Sequence, residues 1–114
     1  MVVHYPKESG TDRIFRALAN GTRRDILRRV TDDELCISAL AKRYPMSFAS
    51  VQKHVATLES AGLVEKHARG REQIVRGNRN TVAAVKDLLE DLEDSGRAGS
   101  MRRAGRAPAE VSGG

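Results

Sequence analysis

The chain has 114 residues, room for one domain with one modest core, and it is 39% hydrophobic but only 4% aromatic with no tryptophan, so Leu, Ile, Val and Ala must build that core, which points towards packed helices. Lys and Arg outnumber the acids 20 to 15, giving a formal charge of +5 that suits a polyanionic partner, although many basic proteins have none. Met1–Pro6 lacks the basic and apolar regions of a secretion signal, no run approaches the roughly 18 apolar residues of a membrane span, and the single Cys36 excludes an internal disulfide, so a cytoplasmic location and no membrane partner are expected.

Residues 1–10 carry Pro6 and Gly10 without periodicity and read as a flexible N-terminal arm. Ile14, Phe15 and Leu18 share one face of a first helix, 11–18. Asn20-Gly21-Thr22 breaks it, with Asn20 or Thr22 as the next N-cap, and Ile26, Leu27 and Val30 give a second helix its apolar stripe. Thr31-Asp32-Asp33-Glu34 reads as a polar turn whose acids favour the start of a third helix marked by Ile37, Leu40, Ala41 and Tyr44. Pro45 stops that helix, because the residue before a proline avoids the helical region.

A fourth helix follows from Ser47, a good N-cap, with Val51, Val55 and Leu58 at i, i+4 and i+7. Its other face offers Ala49, Ser50, Gln52, Lys53 and, at one edge, His54. Gly62 suits a left-handed C-cap. Two helices around a tight Tyr44-Pro45-Met46 turn are a helix-turn-helix candidate. The period then changes: Leu63–His67 and Glu72–Arg76 flank Ala68-Arg69-Gly70-Arg71, predicting a β-hairpin with two arginines at its tip. A last helix over 80–94 carries Val82, Val85, Leu89 and Leu92, a seam widened by Leu88 that normally packs against another helix.

The expected architecture is therefore mainly α with a small β-hairpin, a winged helix-turn-helix of order α-α-α-α-β-β-α, folded over 11–94. Residues 95–114, rich in Gly, Ser and Arg and with Pro108, have few apolar side chains to offset ordering entropy and are expected to form a disordered basic tail. Charge is segregated along the body: 11–30 and 42–79 are strongly basic, whereas 80–94 sets Lys86 against Asp87, Glu90, Asp91, Glu93 and Asp94.

The run Phe15-Arg16-Ala17-Leu18-Ala19-Asn20-Gly21-Thr22-Arg23-Arg24-Asp25-Ile26-Leu27 resembles the opening signature of the ArsR/SmtB family. Met46–Val55, followed by Leu58-Glu59-Ser60-Ala61-Gly62-Leu63-Val64, is similar to that family's recognition helix and the start of its wing. The match covers roughly 13–92, in the right order and spacing. The resemblance implies a homodimeric transcriptional regulator that pairs its first and last helices across subunits and presents two recognition helices to double-stranded operator DNA. Ile14, Phe15, Leu18, Val82, Val85, Leu89 and Leu92 are then the candidate interface.

Side-chain chemistry supports that reading. Hydroxyl and amide groups of Ser47, Ser50 and Gln52, with Lys53, can meet base edges from a helix in the major groove, with Ala49 and His54 beside them. Arg69 and Arg71 at a hairpin tip suit phosphate or the minor groove, and Arg23 and Arg24 can reach the backbone; each can equally be a solvated charge. Phe48 either touches a thymine methyl or packs beneath the helix start.

Many members of the resembled family sense metals, through a pair of cysteines two residues apart or through Asp and His on the last helix. Here Ser38 stands two residues after Cys36, and 80–94 has no histidine, so neither site is intact. The remaining candidate ligands are His4, Cys36 and His67. His4 with acids of the last helix can form a site for nickel or zinc across a dimer; otherwise His54 and His67 serve DNA or solvent, and Cys36 is a small buried hydrophobe. No Gly-rich phosphate loop, paired zinc motif or activated nucleophile is visible, so no enzyme is expected. The alternative from another class is a winged-helix protein-interaction module that does not bind DNA directly.

Overall fold

The computed structural model describes residues 9–104, with side chains placed through Gly96. His4 and most of the expected arm, like the last ten residues of the expected tail, lie outside the described residues. The chain forms two compact units, one through Thr81 and one from Val82.

Three helices of the first unit start at a side-chain cap, and the short helix that follows Cys36 does not. Helix α1 (Gly10–Leu18) opens with a capping box, in which the Ser9 hydroxyl accepts from Asp12 N at 3.1 Å and the Asp12 carboxylate from Ser9 N at 3.4 Å. Of the two candidate caps for α2 (Gly21–Asp32), Asn20 is the one used, its side-chain oxygen accepting from Arg23 N at 3.0 Å. Ile26, Leu27 and Val30 on α2 are buried. Helix α3 (Ile37–Ala41) ends before Pro45, and α4 (Phe48–Ser60) begins at Ser47, whose hydroxyl accepts from Ser50 N at 3.1 Å. Gly62, at φ 76°, reverses the chain after α4, and Leu63 N closes the end on Leu58 O at 3.0 Å.

The expected hairpin is present as β2 (Val64–Arg69) and β3 (Glu72–Gly77), paired antiparallel from Val64↔Gly77 to Arg69↔Glu72. Gly70, at φ 63°, is the first of the two turn residues, as primed hairpin turns require. The structure adds one strand, β1 (Leu35–Cys36), which pairs antiparallel with β3 through Leu35↔Val75 and Cys36↔Ile74. The sheet order is β1-β3-β2, and the element order is α-α-β-α-α-β-β-α rather than the expected α-α-α-α-β-β-α. Leu35–Cys36 occupies the otherwise unpaired edge of β3. Correspondingly, Thr31 and Asp32 belong to α2 rather than to a turn.

The core gathers Ala17, Ile26, Val30, Leu40, Val51, Val55, Leu58, Leu63 and Val75, with Ile14 and Leu18 of α1 packed partly against it. Burying each large aliphatic side chain is worth about 1.5–3 kcal/mol, so α4 is held chiefly by Val51, Val55 and Leu58. The end of β3 meets α2 with no room for a side chain: a Cβ on Gly77 would lie 2.9 Å from Thr31 Cα and 3.0 Å from Thr31 Cβ. Arg79 closes the same corner, its guanidinium donating to Thr31 O at 2.9 Å.

Helix α5 (Arg79–Ala104) starts at Asn78, whose side-chain oxygen accepts from Asn80 N at 3.1 Å and Thr81 N at 3.3 Å. It runs ten residues past the end expected at 94. Ala, Arg and Met over 98–104 are good helix formers, and no proline intervenes before Pro108. In the second unit Val82, Leu89 and Leu92 are exposed, Leu92 by 62%, while Val85 and Leu88 are half-buried. No helix among the described residues is long and apolar enough to cross a membrane.

Candidate nucleic-acid interface

Helices α3 and α4 form the helix-turn-helix, and the cap on α4 sets what its first turns present. Ser47 is both the cap and a hydrogen-bond partner of the Ser50 hydroxyl at 2.9 Å, so these two candidates hold each other. Ala49, Gln52 and Lys53 face solvent one and two turns in. Phe48 is 45% exposed, so it does not pack beneath the helix start and its ring is open to an apolar contact. A helix that buries Val51, Val55 and Leu58 and exposes a small residue, an amide and an ammonium at its N-terminal end has the size and chemistry of a major-groove reader.

The arginines at the start of α2 are differently employed. Arg23 donates through Nε to Ala17 O at 2.7 Å, through Nη2 to Arg16 O at 3.1 Å and through Nη1 to His54 Nδ1 at 3.3 Å. Arg24 donates to Leu18 O at 2.8 Å. Both serve carbonyls at the C-terminus of α1, of which Arg16 O also accepts from Ala19 N at 3.2 Å, and a cation there is favoured by the helix dipole. The Arg23 bond requires the His54 tautomer protonated on Nε2. Burial, then the Arg23 charge, hold His54 below the usual imidazole value and so keep it neutral. His54 thus ties α4 to α1 through Arg23.

A second polar cluster, which the sequence reading misses, braces the turn itself. Tyr44 donates to Asp25 Oδ2 at 2.6 Å; Arg29 Nε lies 2.8 Å from the same oxygen and 3.1 Å from Tyr44 Oη; Arg28 pairs with Asp25 Oδ1. The guanidinium of Arg29 stands over the Tyr44 ring at 5.7 Å. The Tyr44 hydrogen bond and then that from Arg29 lower the Asp25 pKa to about 2, while burial and then the carboxylate raise that of Tyr44 to about 12. The spacing of Asp25 with Arg28 and Arg29 was a signal for part of this; nothing in the sequence pointed to Tyr44.

At the wing, the two tip arginines differ. Arg71 is exposed in the turn and forms no ion pair among the described residues. Arg69 instead pairs with Glu34 at 2.6 Å and lies 3.4 Å from His67 Nε2. Lys66 bridges to Glu59 of α4 at 3.3 Å, and Arg76 to Glu65 at 3.1 Å.

The donor set does not fit a soft metal. Cys36 faces the Ser38 hydroxyl at 3.5 Å, one thiol and one weak oxygen donor, where such an ion needs several thiolates. Among the described residues no three His, Cys, Asp or Glu side chains gather as a metal site.

Three helices, a turn-separated reading helix and a β-hairpin behind it make the first unit a winged helix-turn-helix. Residues 18–67 match the family model for a helix-turn-helix domain. The chain is 33% identical over 79 residues to the HTH-type transcriptional regulator Rv2034 of Mycobacterium tuberculosis, covering 69% of this chain and 74% of that protein. The crystal structure of the ArsR family transcriptional regulator RHA00566 superposes with a TM-score of 0.73 at 30% identity, over 78% of this chain and 98% of that one. The homodimeric winged helix-turn-helix DNA-binding domain Mb0332 from Mycobacterium bovis, solved in solution, gives 0.62 at 26% identity, over 82% and 91%. The chain belongs to the ArsR family of winged helix-turn-helix transcriptional regulators, as its opening signature and recognition-helix motif suggest.

Proposed function

We propose that the chain binds operator DNA as a homodimer, with α4 of each copy in a major groove and the β2–β3 wing along the adjacent backbone. The observation that carries this is the exposed Ala49, Gln52 and Lys53 within two turns of the Ser47 cap, with Arg71 exposed at the wing tip. Gln52 and Lys53 are assigned to base edges, Arg71 to phosphate, and Phe48 to an apolar edge such as a thymine methyl. Arg23 and His54 are assigned to holding α1 and α4 together, and Arg24 to holding α2 on the end of α1, ahead of any backbone contact. The homodimeric state of the Mycobacterium bovis domain and the exposed Val82, Leu89 and Leu92 support dimerisation through α5, with Phe15, 38% exposed, as the outward residue of α1. Ile14 and Leu18 contribute at the margin, since they pack partly on their own core.

For the effector, this reading expects no tight arsenite or cadmium response. Nickel or zinc on nitrogen and oxygen donors is the metal chemistry left to the chain, with His4, outside the described residues, and His67 as nitrogen donors. The experiment for the whole reading is binding to a duplex DNA library at several salt concentrations. Selection of a two-fold-symmetric site, with affinity falling steeply as salt rises, supports it. A chain that binds no duplex at any salt is a protein-interaction module instead.

A further inference from the structure

The pairing of Arg69 with Glu34 gives the wing a feature that its sequence does not suggest. Glu34 immediately precedes β1 and Arg69 ends β2, and these are opposite edges of the β1-β3-β2 sheet. The Arg69 side chain therefore reaches back across β3 to a carboxylate at 2.6 Å rather than extending from the tip. The Glu34 pKa is lowered, first by the Arg69 hydrogen bond and less by the Arg69, His67 and Arg76 charges, against an opposing effect of burial. Arg71, two residues on, meets no such partner among the described residues.

A carboxylate and a phosphodiester present the same chemistry to a guanidinium: anionic oxygens that accept charge-assisted N–H bonds. We propose that Glu34 is an internal stand-in for DNA phosphate, occupying Arg69 in the free protein and competing with the duplex backbone for it. The inference rests on the reading that the wing grips DNA, and it makes Glu34 an affinity-determining residue that need not touch DNA. Its effect falls hardest on non-specific duplex, whose binding is supplied almost wholly by phosphate contacts. An exposed pair of this kind is modest in strength, so releasing it should raise affinity about two- to five-fold.

The test is a thermodynamic cycle on the full chain: wild type, Glu34→Gln, Arg69→Ala and the double variant, each titrated against a random-sequence duplex at low and moderate salt. Thermal unfolding of each variant checks that the fold is retained, as expected for two surface side chains. The proposal expects Glu34→Gln to bind about two- to five-fold tighter, Arg69→Ala to bind more weakly, and the Glu34→Gln gain to vanish when Arg69 is absent. An equal gain with and without Arg69 overturns it, because Glu34 would then act only through its long-range charge. An Arg69→Ala variant that binds like wild type also overturns it, while leaving DNA binding by α4 and Arg71 intact. If the wild type binds no duplex, the functional reading falls and the proposal falls with it.

Discussion

Tyr44, in the turn between α3 and α4, donates its hydroxyl to Asp25 of α2 at 2.6 Å, so the turn that aims the reading helix is fastened to the helix behind it. Tyr44→Phe keeps the ring over Arg29 but removes this bond together with the longer one, at 3.1 Å, that the hydroxyl accepts from Arg29 Nε. The expected cost is about 1.5–3 kcal/mol at neutral pH, typical of a hydrogen bond to a charged group, read as a lower unfolding midpoint in denaturant.

The same pair predicts a pH dependence. Asp25 has its pKa lowered in the fold from 3.8 to about 2, so its contribution is present above pH 3.8 and is lost as pH falls towards 2. Tyr44 has its pKa raised from 10.0 to about 12, so its contribution is present below pH 10 and is lost as pH rises towards 12. A carboxyl-detected titration should show Asp25 near 2 in the wild type and higher in Tyr44→Phe. An unchanged midpoint would show that Arg29 and Arg28 alone hold the carboxylate.

Arg23→Lys separates bracing from DNA gripping, since a lysine keeps the charge but cannot serve Arg16 O, Ala17 O and His54 at once. Stability should fall by about 1–3 kcal/mol, the cost of taking this donor from the carbonyl of buried Ala17. Unchanged stability with a salt slope reduced by about 1 would make Arg23 a phosphate ligand instead.

Leu89→Asp tests assembly. Leu89 is 51% exposed in the single chain, so a charge there costs an isolated copy little. In a dimer seam it would be buried without a partner, and sedimentation should show monomers at micromolar concentration. A wild type that is already monomeric there would defeat the proposed interface.

Gln52→Ala and Arg71→Ala should differ in kind. Loss of a base-edge contact costs about 1–3 kcal/mol at particular positions and changes which sites are selected, symmetrically in both half-sites. Loss of a phosphate contact weakens all sequences alike. Site selection with both variants decides this, and indistinguishable profiles would mean that helix and wing are misassigned.

What was legible in the sequence was local. Ser47, the Val51–Val55–Leu58 spacing and Gly62 delimit α4 because cap, stripe and stop all lie within the helix and its flanks. β1 was not legible: two residues carry no alternation, and their strand character comes from the edge of β3, some 38 residues later. Arg69 and Arg71 look alike for the same reason, since Glu34 is 35 residues from Arg69. The bracing role of Arg23 was not legible because two of its three targets are backbone carbonyls, which no side-chain pattern announces. The expected end of α5 at 94 rests on the few apolar side chains beyond it, but a helix continues on its own backbone hydrogen bonds, and a glycine within it costs only about 1 kcal/mol.

The contact between Gly77 and Thr31 bears on how this wing can change over generations. Any codon change that replaces the glycine, even by alanine, brings a Cβ to within 3 Å of the Thr31 backbone. Trimming Thr31 in advance would not open a route, because its Cα is itself part of the obstacle. Position 77 therefore has no neighbouring viable sequence at fixed backbone. Variation is closed at this end of β3 and open at the other end of the strand, where Arg71 stands exposed in the turn.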